Sequence, residues 1–453
     1  MSQISHVFKI RKGLNINLTG KAEKIIGNVA PSSYYAVKPS DFHGIVPRLN
    51  VSEGASVKAG TTLYTDKNRP EIRFVSPVSG TVSAINRGDR RAILEVVVKA
   101  GENMEYEEFP KGNPFEMNRD DIIENLLKSG LWPAIRQRPY HIMADPKDVP
   151  KSIFISAFDS APLAPDYDFI LTGYGQEFQV GVNVLSRLTP GKVHINIDEE
   201  NTRSSVFRDA VNAQVNRFSG PHPAGNIGVQ IQKIDPINKG EVIWFINVQD
   251  VLAIGRLFTS GIVDLSRIIA LTGSEVIQPG YYRVISGTSV ENILKEAIRK
   301  GNKRIISGNV LTGQKIAQQG FLGYYDSQIT VIPEGDHFEF FGWAMPGFSK
   351  FSASRTFWSW ITPKREYVID TNLKGGQRAF VITGLYERVF PMDIYPMQLL
   401  KAIIADDIDQ MEKLGIYEVA EEDFALCEFV DPSKTEMQVL IRKGLDTIRR
   451  EMS

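Results

Sequence analysis

The first hundred residues restrict the fold of this chain most, because glycine and proline interrupt them too often for a long helix to form. Turn phrases stand at Val51-Ser-Glu-Gly54 and Val57-Lys-Ala-Gly60, and the stretch from Phe74 to Gly88 alternates apolar and polar residues between further turns. Such alternation is typical of short strands with one buried face. The N-terminal region is therefore predicted to be a small β-sandwich over residues 1–110.

These turn phrases resemble those of the barrel-sandwich domains that carry biotin or lipoate. In a carrier domain, a lysine at an exposed hairpin tip receives the prosthetic group. Here the equivalent position is Arg69, which precedes Pro70, and Lys67 lies two residues away. The sequence therefore favours a structural biotinyl/lipoyl-like scaffold over a group-carrying domain.

From residue 111 onward, helices and strands alternate. The pattern predicts a helix at 118–130 whose first residue is an asparagine cap, a buried strand at 152–157, a helix at 175–188 and a second strand at 192–197. A strand, a helix and a strand in this order predict a parallel unit. Residues 111–255 are accordingly predicted to form a Rossmann-like α/β domain.

Residues 256–335 show a different arrangement, which predicts a β-grasp domain. Strands are predicted at 265–273, 279–285 and 303–308, with a helix that is capped by Ser289 and runs to Lys300. One helix laid across a small mixed sheet is β-grasp-like.

The C-terminal third divides into an aromatic-rich connecting segment at 336–375 and a helical domain at 376–453. Helices are predicted at 396–404, 407–414 and 435–452, separated by prolines. The complete chain is thus an α+β, multi-domain protein of 453 residues.

Composition excludes several classes of function. The 52 Lys and Arg residues nearly balance 53 Asp and Glu, so the net charge of −1 argues against binding of nucleic acid and against electrostatic attraction to lipid surfaces. A single cysteine excludes disulfides, CxxC pairs and iron–sulfur clusters, and scattered histidines predict no metal site. No apolar run is long enough for a membrane span, and the N-terminus lacks a signal-peptide pattern. We expect a cytoplasmic location.

Known catalytic and phosphate-binding motifs are incomplete. Residues 308–313 have the glycine spacing of a P-loop, but Gln314 replaces its lysine, and Phe178 blocks the third glycine position of a GxGxxG match at Gly173. Cys427 has no basic neighbour and is predicted to be a buried structural thiol. Acidic runs at 198–200 and 406–407 are predicted to be solvated or to cap helices. No catalytic residue is assigned.

Two loops remain as candidate ligand sites. Gly220-Pro-His-Pro-Ala-Gly225 holds His222 in a turn whose prolines restrict the backbone, so the imidazole is either aimed at a ligand or satisfied structurally. The stretch from Phe341 to Phe348, which includes Trp343 and Met345, suits a protein interface, a membrane-facing surface, a flat aromatic ligand or plain core packing.

The whole chain resembles the family formed by the A subunits of the Na⁺-translocating NADH:quinone oxidoreductase, a bacterial respiratory sodium pump. The phrases that carry the resemblance run from one end of the chain to the other. They lie at Ile10–Ile16, Phe74–Gly88, Gly220–Gly225, Val248–Gly255, Met345–Phe348 and Tyr386–Pro396.

The family is similar in turn to the C subunit of the Rnf complex and to the flavin subunit of complex I. In those relatives a glycine-rich loop holds the flavin phosphate, and the matching stretch is 128–138, where Trp132 and Ile135 add bulk. The phrase at 154–162 lacks the glutamate that those relatives have. The resemblance therefore implies that flavin binding of this kind is lost. The module at 262–313 resembles the soluble-ligand-binding domain that these relatives share.

The Rnf relative also carries two ferredoxin-like cysteine runs, each ending before a proline. The first corresponds to 388–396 and the second to 427–434, where Cys427 alone remains. A cluster needs about four thiolates. The resemblance thus implies a helical, cluster-free ferredoxin remnant.

The resemblance implies a peripheral subunit on the cytoplasmic face of the bacterial inner membrane, docked on the membrane-embedded subunits. The complex would use NADH, flavins, an iron–sulfur centre and Na⁺ and would reduce ubiquinone or menaquinone, while this chain would bind no cofactor and would not oxidise NADH alone. Candidate quinone contacts are His222, Trp343, Met345 and Phe348. Two alternatives stay open: a cofactor-free structural adaptor of the same complex, and an independent FMN-dependent NADH dehydrogenase of the complex I type.

Overall fold

The structure is a computed structural model, which describes residues 7–336, 341, 345–354, 356–362, 364–381 and 384–452. Within these residues the strands lie in four sheets. In chain order they are β1 (Val7–Lys9), β2 (Ile26–Gly27), β3 (Tyr34–Val37), β4 (Pro47–Leu49), β5 (Ser56–Val57), β6 (Thr62–Asp66), β7 (Arg73–Val75), β8 (Gly80–Arg87), β9 (Ile93–Ala100), β10 (Arg136–Arg138), β11 (Ile142–Met143), β12 (Ile153–Ser156), β13 (Val193–Asp198), β14 (Gln214–Ser219), β15 (Ile243–Asn247), β16 (Ser266–Thr272), β17 (Gly280–Ile285), β18 (Lys303–Ser307), β19 (Gln314–Ile316) and β20 (Gln328–Pro333).

The α-helices concentrate in the middle of the chain and at its C-terminal end. They are α1 (Arg119–Lys128), α2 (Tyr167–Ile170), α3 (Gly175–Ser186), α4 (Ser205–Arg208), α5 (Ile227–Ile234), α6 (Val248–Ser260), α7 (Glu291–Leu294), α8 (Tyr386–Val389), α9 (Pro396–Ile404), α10 (Ile408–Lys413), α11 (Glu421–Val430) and α12 (Met437–Met452). Short 3-10 helices lie at Pro39–Asp41, Asp89–Arg91, Pro114–Glu116, Trp132–Ala134, Trp358–Ile361 and Ile416–Glu418.

The predicted β-sandwich is confirmed. A four-stranded sheet in the order β3-β9-β8-β5 faces a three-stranded sheet in the order β4-β6-β7. Their buried side chains, including Leu63, Phe74, Val82 and Val98, belong to one apolar cluster. Alternating apolar residues on both sheets therefore close the core that the turn phrases predicted.

The hairpin tip that carries the modified lysine in carrier domains lies against the α/β region. The Arg69 guanidinium is 3.3 Å from Asp66 at the same tip and 3.8 Å from Asp145, which follows β11. Lys67 is exposed, but its neighbour Arg69 is only 16% exposed. The tip thus joins two parts of the chain, as a scaffold would require.

The largest sheet has seven strands in the order β1-β14-β13-β12-β15-β10-β11. Strands β1, β14, β13, β12 and β15 are parallel, and β10 and β11 extend this sheet in the antiparallel sense. The predicted helix–strand alternation is confirmed by β12, α3 and β13. Asn118 also caps α1 as predicted, since its side chain accepts a bond from the Asp121 N–H at 2.8 Å.

Both faces of this sheet are covered. Helices α3 and α6 lie on one face, where Val182 and Ile254 cluster with Ile153 and Ile195. The two helices approach each other so closely that a Cβ on Gly181 would lie 2.1 Å from the Val251 carbonyl oxygen. Helix α5 covers the other face, where its Ile227 and Ile231 cluster with Phe154. A largely parallel sheet with helices on both sides places its functional residues at the carboxyl ends of the strands.

The next sheet has six strands in the order β19-β18-β20-β16-β17-β2, and its three predicted strands are confirmed. The prediction of a helix from Ser289 to Lys300 is wrong, because only α7 forms and Val290 is its cap. The chain after α7 instead pairs with an earlier segment, through a bridge between Val276 and Ile298. Long-range backbone pairing here overrides the local helical pattern.

The C-terminal helices confirm the sequence prediction, since α9, α10 and α12 match it within two residues at each end. They enclose an apolar cluster that includes Leu400, Phe424, Ile441 and Cys427. The Cys427 thiol is fully buried, and burial raises its pKa. Cys427 is therefore a core residue of a helical bundle, as predicted.

The first strands of the chain belong to sheets that are completed far downstream. Strand β1 pairs in parallel with β14, so that Val7 lies opposite Arg217, and β2 pairs with β17. Strand β1 begins at Val7, and residues 1–6 lie outside the described part. The N-terminal segment thereby connects two sheets before the sandwich begins.

Candidate functional site

A cleft opens at the carboxyl ends of β12 and β15, and it encloses about 670 Å³, including space open to solvent. Ser156 ends β12, and Asn247 ends β15 just before α6 begins. Loops from three other parts of the chain complete the walls. The lining residues are Arg136, Ser156, Phe158, Asp159, Ala161, Tyr167, His222, Gly225, Asn226, Ile227, Phe245, Ile246, Asn247, Asn309, Leu311, Thr312 and Glu422.

His222 lies in the wall of this cleft, and its side chain is 4% exposed. Its Nδ1 is 3.0 Å from the Ser160 hydroxyl, which accepts a bond from the Gly225 N–H at 2.8 Å. Because that hydroxyl keeps its own proton to donate, the pairing favours the tautomer with the proton on Nε2. Burial lowers the pKa of His222 to about 4, so the ring is neutral at pH 7.

The His222 backbone is fixed as firmly as its side chain. The His222 N–H donates to the Asn15 side chain at 2.8 Å, and its carbonyl accepts from Leu14 N–H at 2.8 Å. The N-terminal segment therefore holds this turn from outside the cleft. The sequence left open whether this turn aims the imidazole at a ligand or holds it for a structural reason. The Ser160 contact satisfies Nδ1 structurally, and a ligand at Nε2 stays a prediction.

Arg136 supplies a cation to the opposite wall. Its guanidinium stacks between the rings of Phe245, at 4.6 Å, and Tyr325, at 4.3 Å. It also lies 3.4 Å from the Asn247 side-chain oxygen and 3.1 Å from His141 Nε2. Among the described residues, its buried Nε has no hydrogen-bond partner. This placement holds a positive charge and N–H donors in one orientation.

Acidic and amide groups face these donors. Burial raises the pKa of Asp159, whose carboxylate accepts a bond from the Ala161 N–H at 2.8 Å. The Asn226 amide donates to the Glu422 carbonyl at 3.1 Å, which connects the cleft to the start of α11. The remaining walls are aromatic or aliphatic, with Phe158, Tyr167, Ile227 and Leu311 among them. The cleft can thus hold a small ring between apolar walls and bind its polar atoms at the edges.

The loop that would hold a flavin phosphate in the complex I relatives does not fit that group. The Trp132 ring is fully buried, contacts Trp244 at 5.3 Å between centroids, and donates its Nε1–H to the Ala144 carbonyl at 2.9 Å. A Cβ at Gly130 would meet Val75 at 2.5 Å. Core side chains therefore occupy the volume that a phosphate cradle would need.

The structure separates the aromatic quinone candidates from His222. Met345 and Phe348 are 59% and 58% exposed, and neither belongs to the described residues that line the cleft. Trp343 lies outside the described residues. His222 therefore lies in the cleft without these two side chains.

Metal chemistry finds no support in the described part of the chain, where no group of three His, Cys, Asp or Glu side chains could hold an ion. Nor does any helix within the described ranges have both the length and the apolar character that crossing a bilayer requires. The glycine stretch at 308–313 forms a turn after β18, as predicted, and its Asn309 and Thr312 line the cleft.

Most of the residues around His222 were not predicted from the sequence. Arg136 stands in the loop that aligns with flavin sites, and Asp159 stands in the phrase at 154–162, so both lay in stretches that the resemblance had marked. Asn247 and Ser156 could have been found from their positions at the ends of buried strands. No sequence pattern identified Asn309 as a residue of the cleft, because the stretch at 308–313 indicates only a turn.

This architecture defines a class of multi-domain proteins in which a barrel-sandwich domain precedes an α/β sheet with a cleft at its strand ends. Family models agree: the NqrA N-terminal barrel-sandwich hybrid domain matches residues 8–101, the NqrA second alpha/beta domain matches 117–263, and the NQRA C-terminal domain matches 268–318. The chain belongs to the NqrA family, the A subunits of Na(+)-translocating NADH-quinone reductase.

Relatives of this name match over almost the full chain. The proteins from Pasteurella multocida (strain Pm70) and Haemophilus influenzae (strain PittGG) are each 39% identical over 98% of this chain and 99% of their own length. That of Yersinia pestis bv. Antiqua (strain Angola) is 39% identical over 98% of this chain and 100% of its own. A solved NAD+-reducing [NiFe]-hydrogenase aligns with 75% of this chain and 62% of its own at 12% identity, and its TM-score of 0.37 supports no conclusion.

Proposed function

We propose that this chain is a peripheral subunit of the sodium-pumping NADH:quinone reductase, on the cytoplasmic face of the bacterial inner membrane, and that its cleft receives the quinone head. The observation that carries the quinone role is the composition of the cleft. It combines the neutral imidazole of His222 and the fixed guanidinium of Arg136 with aromatic walls. Family membership supports the place in the complex.

A quinone head has two carbonyl oxygens on a flat ring, and its reduction to the quinol consumes two electrons and two protons. In this proposal His222 donates its Nε2–H to one carbonyl and Arg136 donates to the other. Phe158, which lines the cleft, contacts one face of the ring. Donors that are already oriented stabilise the negative charge that develops on the oxygens as electrons arrive. The electrons come from cofactors of the other subunits, which would be flavins and an iron–sulfur centre fed by NADH.

The finer fold assignments belong to the same proposal. A parallel sheet covered on both faces supports a Rossmann-like domain at 111–255, and the sheet with α7 supports a β-grasp domain at 256–335. The helical bundle at 376–453, with one buried cysteine, supports a ferredoxin remnant without a cluster. The bounds of these domains, and of those at 1–110 and 336–375, stay predictions.

Titration of the full chain with a short-chain ubiquinone tests the quinone role. We expect saturable binding, which His222→Asn weakens by roughly tenfold, as expected when one hydrogen bond to a ligand oxygen is lost. The matched control is His194→Gln, which changes a second buried histidine whose pKa burial also lowers to about 4. His194 does not belong to the described cleft lining. The absence of saturable binding, or equal losses in both variants, would refute the role.

The quinone contacts predicted at Trp343, Met345 and Phe348 stay predictions that the same titration tests with Phe348→Ser. Because Phe348 is exposed and lies apart from the described cleft lining, we expect binding of a tailless quinone to be unchanged. A loss comparable to that of His222→Asn would place the ring at the aromatic stretch instead.

The second candidate is a structural adaptor that holds the membrane-embedded subunits without touching quinone. The observation that favours it is the hairpin tip at Arg69, which pairs with Asp66 and Asp145 where a carrier domain would expose a modified lysine. An assembled complex with His222→Asn and normal quinone kinetics would support the adaptor. The independent FMN-dependent dehydrogenase predicts a yellow purified protein. Since Trp132 fills the phosphate loop, we expect a colourless one.

A further inference from the structure

We call residues 341–381 the aromatic segment, and its described residues expose an unusual amount of apolar surface. Trp132 and Trp244 are fully buried in the α/β region, whereas Trp358 and Trp360 in this segment are 59% and 49% exposed. Further large apolar side chains of the segment are more than half exposed. They are Phe341, Met345, Phe348, Ile361, Val368, Leu373 and Val381.

The exposed rings belong to an ordered arrangement. The rings of Phe348 and Trp358 meet edge to face at 5.8 Å between centroids, and the Trp358 N–H donates to the Pro346 carbonyl at 2.9 Å. The Ser359 side chain is buried, and its hydroxyl donates to the Lys350 carbonyl at 2.6 Å. Internal contacts therefore hold the indole rings toward solvent, instead of folding them into a core.

The segment is also attached to the body of the protein. The Tyr367 N–H donates to the Asn17 carbonyl at 2.8 Å. Phe351 contacts the ring of Phe429, near the end of α11, at 5.7 Å. The Arg378 N–H donates to the Ser433 carbonyl just beyond the same helix end. The segment is thus attached near the end of α11 at both Phe351 and Arg378.

The charge of the segment differs in sign from that of the whole chain. Between residues 341 and 381 six cations stand against the two carboxylates Glu366 and Asp370, a local excess of four positive charges, while the chain as a whole carries −1. Lys364, Arg365 and Arg378 are exposed. The remaining cations are Lys350, Arg355 and Lys374. The overall balance therefore conceals a net positive charge in the same stretch of sequence as the exposed indoles.

We propose that the aromatic segment is a membrane-contact surface that lies on an anionic lipid bilayer. Indole rings favour the headgroup region, where one edge is apolar and the other is wet, and lysine and arginine are attracted to anionic lipid. A protein interface would use the tryptophans but tends to exclude lysine from its core. The net charge of the whole chain led us to expect no electrostatic attraction to lipid. For the aromatic segment, this proposal replaces that expectation. The inference rests on the proposed peripheral membrane location.

Vesicle binding of the full chain tests the proposal. At low ionic strength we expect co-sedimentation with vesicles of phosphatidylcholine and phosphatidylglycerol, weak binding to phosphatidylcholine alone, and release by added salt. The variant Lys364→Gln/Arg378→Gln should lower the partition coefficient roughly thirtyfold, and Trp358→Ser/Trp360→Ser roughly tenfold or more. The control Arg48→Gln/Lys99→Gln removes two exposed cations of the barrel-sandwich domain and should leave binding within about twofold.

Circular dichroism confirms that each variant is folded before its binding is compared. Binding that ignores lipid charge, binding that the control weakens as much as the test variants do, or no binding to either vesicle would overturn the proposal. If the aromatic variants instead lose only their association with purified membrane-embedded subunits, the surface is a protein interface. Quinone titration of the same variants separates the two proposals, since membrane contact can fail while the cleft still binds quinone.

Discussion

Arg138 ties the largest sheet to the C-terminal helices, and its removal should loosen them measurably. The side chain is fully buried at the end of β10. Its guanidinium donates to the Asp423 carboxylate at 2.9 Å, to the Glu422 carboxylate at 2.9 Å and to the Glu418 carbonyl at 3.2 Å. These acceptors lie at or just before the first turn of α11. One side chain therefore pairs with two of the three carboxylates at the start of that helix, Glu422 and Asp423.

The expected loss of folding free energy in Arg138→Met follows from the carboxylate that the substitution leaves without a partner. Arg138→Met keeps much of the side-chain volume but strands the Asp423 carboxylate, whose side chain is fully buried. Breaking a buried ion pair by removal of one partner costs about 3–5 kcal/mol, since the remaining charge stays desolvated. Asp423→Asn removes that charge yet still accepts from the Ala420 N–H, which lies 2.9 Å from the carboxylate. The double variant should therefore be at least about 1 kcal/mol less destabilised than the sum of the single variants.

Native-state hydrogen exchange measures the effect where it should occur. We expect the opening free energy of amides in α11 to fall by about 3–5 kcal/mol in Arg138→Met, unless global unfolding limits it first, while amides of β8 and β9 in the sandwich change less. Arg48→Met, at an exposed arginine, serves as the control and should stay within about 0.5 kcal/mol. A change of less than about 1 kcal/mol in α11, or additive single variants, would refute the reasoning.

Further predictions concern pH, the lone thiol and one glycine. Burial lowers the pKa of both His222 and His194 from 6.5 to about 4, so the unfolded chain binds protons first as the pH falls and each histidine should remove about 2 kcal/mol of stability between pH 7 and 5. Urea midpoints of wild type and of His222→Asn/His194→Gln check this, and equal pH slopes would contradict it. Cys427 should not react with a thiol reagent until the chain is unfolded, and one equivalent of reaction in the native protein would contradict its burial. Gly130→Ala should destabilise by roughly 2–4 kcal/mol, because the backbone has φ +71° and the new Cβ would lie 2.5 Å from Val75. Added to Gly130→Ala, Val75→Ala should restore only the part of the lost stability that comes from the steric clash, as measured by the melting temperature. Restoration of all the lost stability would show that the backbone conformation costs little.

Local sequence signals predicted the elements that depend on local contacts. Asn118 caps α1, Pro396 begins α9, and the alternation at 74–88 gives strands, since each of these follows from neighbours within a few residues. The core position of Cys427 was also predictable, because its apolar surroundings in the sequence are those of a buried helix.

Elements that depend on distant partners were not predictable in the same way. The helix expected from Ser289 is shorter because Ile298 pairs with Val276. The sequence around that helix does not indicate this pairing. The cleft likewise assembles Arg136 from a strand, His222 from a loop and Glu422 from a helix, which lie far apart in the chain. The unusual turn around His222 made that residue a candidate, but its neighbours in the cleft depend on sheet order, which no local pattern encodes.

The pairing of the N-terminal strands sets the order in which the protein can mature during synthesis. Strand β1 has no partner until β14 has left the ribosome, and β2 waits for β17, which ends at Ile285. At translation rates of about 5–20 residues per second, the leading segment stays unpaired for on the order of tens of seconds. The barrel-sandwich domain, whose strands all lie between residues 34 and 100, can close in the meantime. The nascent chain would thus carry a folded domain behind an open leading strand until β14 and β17 are synthesised.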